Sequence, residues 1–518
     1  MTDVLSPIPW SGALRVLADR FGDSVAISGG AEPLSFRVLC ERAHALGALL
    51  RQRGVGAGVP VATLLPNRVE TVWSAYGIRL AGAAETPMSF GHTPEEIDWV
   101  ARIAGAKLVV TQGSRADEVR ALGLEPLLVE DVPAGGEAEI FDPAPARARG
   151  RILFTSGTPG RPKGVVYGHA RRWIGEQLLK AALPFTPSPG NRILLMTPFS
   201  HGASLLTFAW CDHGGEVVLL DGVDTGCVGA LLRAGDIDAI FAPPTVLAKL
   251  AASFGDEHFA GVRCVFTGTQ PLTPALYFKA RAMFGPVVRI TFGKTECINP
   301  ITVLDADDSE ALFSSQSAGV GTCVGWPAAG VELRIDDQTR SRAQQDEEVQ
   351  SEIWLRASHM SDGLIDAEGF KPHEPDGWHR TGDQGYIDGR GRLWLTGRVA
   401  DVIKTGGYRV NPDEIEGVLT GLESSGQVCV TSLPSEYWGE VIIAVAEGAA
   451  DGWEEGARRR VAALSRHKQP RAYVAVASLP RNAQGKVSRR KVRELVLSGH
   501  DLADGPYPAL TSKSGGGS

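Results

Sequence analysis

Four short segments carry residue types that could do chemistry on phosphates. In RILFTSGTPGRPKGVVYGHA (151–170) a strand-like run enters a loop of small hydroxylated and glycyl residues that reaches Lys163. Glycines let backbone N–H groups turn inward on oxyanions, Ser156 and Thr158 add hydroxyl donors, and Lys163 adds a point charge. The spacing departs from G-x4-G-K-[ST], so a Walker-type ATPase or kinase is not supported, and the plain alternative is a Gly/Pro surface turn. In VRITFGKTECINP (288–300) Thr295 can donate to a phosphate and Glu296 can hold a hard cation. In WHRTGDQGYIDGRGRLWLTGR (378–398) Asp383 can accept from both hydroxyls of a ribose, with Arg398 a nearby donor, unless the segment is only a hairpin with Gly turns. In PRNAQGKVSRRKV (480–492) Lys486 follows a Gly; taken alone, a surface lysine is the better reading.

These segments need a scaffold that brings them together across more than three hundred residues. From residue 1 to about 400, short runs rich in Val, Ile and Leu alternate with helical patterns, the signature of parallel strands joined by crossover helices. VPVATLLPN (59–67) reads as a strand and turn, RVETVWSAYGIRLAGA (68–83) as the following helix, and NRILLMTPF, GEVVLLDG and IDAIFAPP repeat the strand pattern. An α/β fold is expected: a large N-terminal domain, 1–399, of mostly parallel sheets flanked by helices. Beyond it QVCVTSLPSEYWGEVIIAVAEG resembles antiparallel strands and GWEEGARRRVAALSRH an amphipathic helix, so 400–510 is expected to be a small, mobile α+β domain. No Pro- or Gly-rich tether separates the two, which makes the boundary near Ala400 a short hinge. Residues 511–518, ending SGGGS, read as a flexible tail or linker, and DDQTRSRAQQDEEVQSE (336–352) as an exposed turn between strands.

Composition restricts the function classes. At 518 residues, 43% hydrophobic and 22% charged, the chain is ordinary globular protein with more than one core. A net charge of -8 gives no general attraction to nucleic acid, and the basic run Arg458, Arg459, Arg460 lies beside Glu454 and Glu455 as a solvated helix face. The cysteines are scattered, without CxxC or zinc-ligand spacing, and no apolar stretch is long enough to span a membrane, so a cytoplasmic protein with reduced thiols is expected.

The ordered series TSGTPGRPKG, FGKTE, W-x-RTGD, GRVADVIKTGGYRVNPDEIE and PRNAQGK, with LLPN and LAGAAETPM before it, resembles the adenylate-forming superfamily. That superfamily comprises acyl-CoA synthetases, peptide-synthetase adenylation domains and luciferases. The resemblance implies that ATP and a carboxylic acid give acyl-adenylate and pyrophosphate, with Mg2+, and that a thiol then takes the acyl group. By resemblance, Thr155, Ser156, Gly157, Thr158 and Lys163 hold the β- and γ-phosphates, while Thr295 contacts the α-phosphate and Glu296 binds magnesium. Phe292 would stack on adenine, Gly268 and Gly293 line the nucleotide, Asp383 holds the ribose with Arg398 beside it, and Lys486 bridges carboxylate and α-phosphate. A rotation of the C-terminal domain would then exchange Lys486 for Lys404, Thr405, Gly406 and Gly407, whose glycines leave room for a pantetheine arm. There are departures. Pro159 replaces a usual Thr, Phe292 a usual Tyr, Ala400 a usual Asp or Lys at the hinge, Ser351 a usual Gly, and GTQPL (268–272) a GGAPL-like run.

The resemblance also implies an acid pocket lined by Phe199, His201, Ser204, Phe208, Phe241, Thr269, Cys297 and Ile298, with His201 at the carboxylate and thiol tunnel. Gly202 stands where amino-acid-activating relatives carry an Asp, so an aryl or aliphatic acid is expected rather than an α-amino acid. Three readings compete: an acid–CoA ligase, an enzyme that loads the phosphopantetheine of a separate acyl carrier protein, and a silent nucleotide-binding scaffold. The presence of Glu296, Asp383 and Lys486 argues against the scaffold. A luciferase-like oxygenase or a lactone-forming relative stays open.

Overall fold

The run VPVATLLPN becomes the strand Pro60–Leu64, and the next helix, Val69–Leu80, is buried at every residue from Thr71 to Leu80. A helix apolar on all sides must lie between layers, and this one does. The chain then returns as Ala84–Met88, parallel to Pro60–Leu64. Farther on, Pro94–Ala104 begins in a capping box, with Thr93 accepting from the Glu96 N–H and the Glu96 carboxylate accepting from the Thr93 N–H, and stops at Gly105, φ 77°. A computed structural model describes residues 6–30, 32–135, 141–155, 161–255, 257–315, 321–335, 351–374, 376–422, 425–482 and 485–513, the side chains of His201 and Asn299 excepted.

Among the described residues the first 400 form an eight-stranded and a thirteen-stranded sheet. One core joins Val61, Leu108 and Val110 of the first to Ile193, Leu195 and Val217 of the second. The alternate residues Ala62, Leu64 and Val109, and Leu194, Val218, Ile240 and Val265, face two further cores on the outer sides. Sheets buried on both faces explain the uninterrupted apolar runs.

The α/β expectation holds, but parallel pairing is confined to part of each sheet. Arg192–Leu195 pairs parallel with both Glu216–Leu219 and Ala239–Phe241, as the strand pattern predicts. From Cys297 to Arg398 every described pairing within the large sheet is antiparallel. The reason is connection length: two residues separate Lys294 from Cys297, and five separate Ile387 from Leu393, too few for a crossover helix. Of the stretch 336–352, only Ser351 and Glu352 are described, and they begin a strand, Ser351–Ala357.

Beyond residue 400 a separate five-stranded sheet carries its own cores. Val428–Ser435 and Gly439–Glu447 form the expected antiparallel pair; Ala472–Val476 joins it in parallel, which the sequence reading did not foresee. The helix is shorter than its pattern, Trp453–Val461. Arg458 and Arg459 pair with Glu454 and Glu455 on its exposed face, whereas Arg460 donates to the carbonyls of Val418, Thr420 and Gly421 at the end of the neighbouring helix. The expected tail begins too early: Thr511 and Ser512 belong to the strand Ala509–Ser512, paired with His500–Ala503. All seven cysteines are unpaired, and among the described residues no helix is long and apolar enough to cross a membrane.

Candidate functional site

The strands Arg149–Thr155 and Lys163–Gly168 form a hairpin in which Thr155 opposes Lys163. Half-buried Thr155 and exposed Lys163 therefore flank the loop mouth; Ser156, Gly157, Thr158 and Pro159 lie outside the described residues. Lys163 Nζ is 3.5 Å from Asp366 Oδ2. Inside the same hairpin Tyr167 is fully buried, and its hydroxyl donates to the Thr295 carbonyl at 2.7 Å.

That bond ties this hairpin to a second one. Val288–Lys294 and Cys297–Leu304 are joined through Thr295 and Glu296, which form a tight turn, with Gly293 inside the first strand. The Ser361 N–H donates to the Glu296 carbonyl at 2.8 Å, so the turn is held from both sides. Phe292, Gly293, Thr295 and Glu296 are half-buried along this rim. Next to it Gly268 ends a parallel strand where a Cβ would lie 2.1 Å from the Thr291 carbonyl oxygen, so only glycine fits. Thr269 follows at φ 68°, the one described non-glycine with positive φ.

Asp383 lies on His379–Ile387, opposite Arg398 on Leu393–Arg398. Its buried carboxylate receives two cations: Arg398 Nε is 3.3 Å from Oδ1 and Lys294 Nζ 2.9 Å from Oδ2. Lys294 also donates to the Thr381 carbonyl at 2.7 Å. Lys486 donates through Nζ to the carbonyl of Thr269, 217 residues earlier in the chain, at 2.6 Å. Burial, reinforced by Arg398 and Lys294 and opposed by Asp383, brings the Lys486 ammonium down to about 8. Near Glu296, burial also brings His373 down to about 4 and lowers His379; their rings are 5.1 Å apart.

The eight residues expected to line an acid pocket divide between environments. Phe199 to Ala203 winds as a π-helical turn into the helix Ser204–Cys211. Gly202 faces Phe241, whose ring would be 3.3 Å from an added Cβ. Phe199 is buried; its N–H donates to Asn67 Oδ1 and its ring meets Phe208 edge-on. Ser204 and Phe208 turn the other way, into a buried charge network. Arg151 Nη2 donates to Ser204 Oγ, and the guanidinium of Arg79 lies 4.1 Å from the Phe208 ring centroid. Arg79, Arg151 and Arg172 pair there with Glu85 and Glu176 at 2.8 to 3.3 Å, all nearly inaccessible to solvent. Cys297 is buried against His359, Sγ to Nε2 3.4 Å, and burial pushes its thiol up to about 12. Ile298 packs beside Tyr167 and Val165, Thr269 is exposed beside Lys486, and the His201 side chain lies outside the described residues.

Lys404, Thr405, Gly406 and Gly407 stand apart from this cluster. Thr405 opposes Tyr408, leaving Gly406 and Gly407, φ 56° and 84°, as a two-residue hairpin loop with both residues in the left-handed region. Gly406 lies against the Trp438 ring, 3.0 Å from an added Cβ, and the Lys404 N–H donates to Glu440. Exposed Ala400 belongs to a 3-10 turn, Val399–Asp401, whose Asp401 is bonded by Arg489 Nη1 at 2.6 Å. Arg489 also binds Asp413 and Glu416 of the helix Pro412–Leu419.

Sequence reasoning missed Lys294, Tyr167, the two histidines and the arginine network. Lys294, Tyr167, Arg151 and His379 all lie inside segments singled out above, Lys294 one residue before Thr295.

The AMP-binding enzyme family matches residues 14–365. A long-chain fatty acid–CoA ligase, FadD13 of Mycobacterium tuberculosis, is 30% identical over 86% of this chain and 90% of its own. A 2-succinylbenzoate–CoA ligase of Geobacillus is 26% identical over 92% of this chain and 95% of its own. ATP-bound MatB of Rhodopseudomonas palustris superposes with a TM-score of 0.81, at 24% identity, over 94% of this chain and 98% of its own.

Proposed function

The chain belongs to the AMP-binding enzyme family, and we propose that it is an acid–CoA ligase that forms acyl-AMP from a carboxylic acid and ATP, releases pyrophosphate, and passes the acyl group to the thiol of coenzyme A. The observation that carries this reading is the meeting of Lys486 with Thr269 beside Asp383, Arg398 and Lys294. The reaction brings two anions together and builds charge on phosphorus, so fixed cations in a partly desolvated site lower the barrier.

In this reading Asp383 accepts from the ribose hydroxyls, Phe292 stacks on adenine, Gly268 and Gly293 leave room for the nucleotide, and Thr295 donates to the α-phosphate. Lys486 holds carboxylate and α-phosphate oxygens together. Thr155 and Lys163, with Ser156, Gly157 and Thr158, receive the outer phosphates. Glu296 would hold Mg2+: its carboxylate oxygens are hard ligands, and the neighbouring His373 and His379 are kept neutral by burial and do not compete as cations. Bound magnesium would neutralise phosphate charge during pyrophosphate departure.

Residues 1–399 act as the nucleotide- and acid-binding body and residues from 400 as the mobile one, pivoting at the exposed Val399–Asp401 turn. Rotation would withdraw Lys486 and present the Gly406–Gly407 loop to the thiol. The acid is aryl or aliphatic, entering beside Phe199, Phe241, Thr269 and His201; Gly202, against the Phe241 ring, offers no carboxylate to an α-ammonium group. The enzyme works in the cytoplasm, where ATP and coenzyme A are found.

ATP–pyrophosphate exchange against aryl, short-chain, long-chain and amino acids tests the first half, and adding coenzyme A or a pantetheinylated carrier tests the second. Exchange with an aryl or aliphatic acid and thioester on coenzyme A is the expected result. Exchange with thioester only on the carrier would move the acceptor to a carrier protein, and no exchange with any acid despite ATP binding would favour a silent scaffold.

A further inference from the structure

Lys294 has been counted only as one of the fixed cations, with no contact of its own assigned, yet its side chain is 14% exposed and two of its three donors are committed inside the site. One goes to Asp383 Oδ2 at 2.9 Å, the other to the Thr381 carbonyl at 2.7 Å. Asp383 is held more closely by Lys294 than by its other cation. Its side chain is 9% exposed, and its second cation, Arg398, is 57% exposed and 3.3 Å from the other oxygen. A buried carboxylate that loses its close cation turns toward other partners, and that rotation takes its acceptor positions out of the site. An ionised carboxylate offers about four lone-pair positions. Lys294 and Arg398 occupy one on each oxygen, which leaves one on each for the two hydroxyls of a ribose.

The backbone around the pair is equally constrained. Thr381 Oγ1 donates to the Ile353 carbonyl and accepts from the Asp383 N–H, while the Gly382 N–H donates to Glu352. The carboxylate-bearing strand is thus fixed from behind, and the remaining freedom is the Asp383 side-chain rotation that Lys294 restrains. Lys294 is also the residue before Thr295, whose carbonyl is held by Tyr167. One side chain thereby links the α-phosphate turn to the ribose carboxylate.

We infer that Lys294 is a positioning residue that holds the Asp383 carboxylate in the rotamer that accepts the ribose hydroxyls, so that the enzyme's preference for ATP over 2′-deoxy-ATP depends on it. This rests on the ribose role proposed for Asp383.

The test is the ratio of kcat/KM for ATP to that for 2′-deoxy-ATP in the acid-dependent exchange reaction, measured for wild type, K294M, K294R and D383N together with their melting temperatures. In K294M the ratio should fall on the order of tenfold, the worth of a hydrogen bond to a charged acceptor, with KM for the acid unchanged. K294R, which keeps a cation in reach of Oδ2, should retain most of the ratio. If K294M slows both nucleotides by the same factor while D383N collapses the ratio, the positioning role is wrong and the ribose role stands. If D383N leaves the ratio at its wild-type value, the ribose role itself falls and the inference with it.

Discussion

An ammonium brought down to about 8 by burial, with Arg398 and Lys294 pushing the same way, predicts a pH limit that belongs to one half-reaction only. In the role proposed for it, Lys486 supplies a positive charge to adenylation, so the active form is the protonated one. With a midpoint near 8, about nine lysines in ten are charged at pH 7 and about one in ten at pH 9; an ordinary lysine would still be almost fully charged at pH 9. Because kcat/KM reports the unliganded enzyme, kcat/KM for ATP in acid-dependent pyrophosphate exchange should fall through a single limb near pH 8, approaching tenfold per pH unit. The limb in kcat should lie higher, since triphosphate oxygens beside Nζ favour the charged form. K486R carries a charge that does not titrate in this range, so it should flatten the limb whatever its absolute rate. K486Q should lose roughly a hundredfold to a thousandfold in exchange, comparable to removing one transition-state donor. The same variant should still transfer acyl from supplied acyl-adenylate to coenzyme A. A wild-type profile flat to pH 10, or a limb near 8 that persists in K486R, would refute the assignment.

Thr269→Gly should raise the urea midpoint, because a β-branched residue at φ 68° costs about 1–2 kcal/mol and glycine returns only part of that as chain entropy. Glu296→Gln should shift the magnesium dependence of exchange to higher concentration by on the order of tenfold, read by titrating Mg2+ at fixed ATP, since a neutral amide is a poorer ligand for a hard cation. Arg151→Met should lower stability by about 3–5 kcal/mol in denaturant unfolding by leaving Glu85 without one of its two buried cations, and the melting temperature should fall with it.

Much of this molecule is written locally. Val, Ile and Leu runs bounded by turn residues make strands such as Pro60–Leu64 and Arg192–Leu195, and both faces of those strands are buried, which is what an unbroken apolar run demands. The order of the motifs was enough to identify the family, because each motif is contiguous and its chemistry depends on residues within one turn or hairpin. Strand direction was less legible. Cys297–Leu304 and the strands after it have the composition of the parallel ones, and what makes them antiparallel is the shortness of their connections, visible only once the strand ends are placed.

What the tertiary structure alone decided are contacts between segments far apart in the chain. Nothing near Lys294 announces Asp383, 89 residues on, and nothing near Lys486 announces Thr269. Ser204 and Phe208 lie within the apolar stretch expected to face an acid, but the helix turns about 100° per residue, so Gly202 meets Phe241 while Ser204 and Phe208 meet arginines from three other elements. Composition and spacing determine which residues can do chemistry; long-range packing determines which of them are desolvated together, and desolvation sets the charge each one carries.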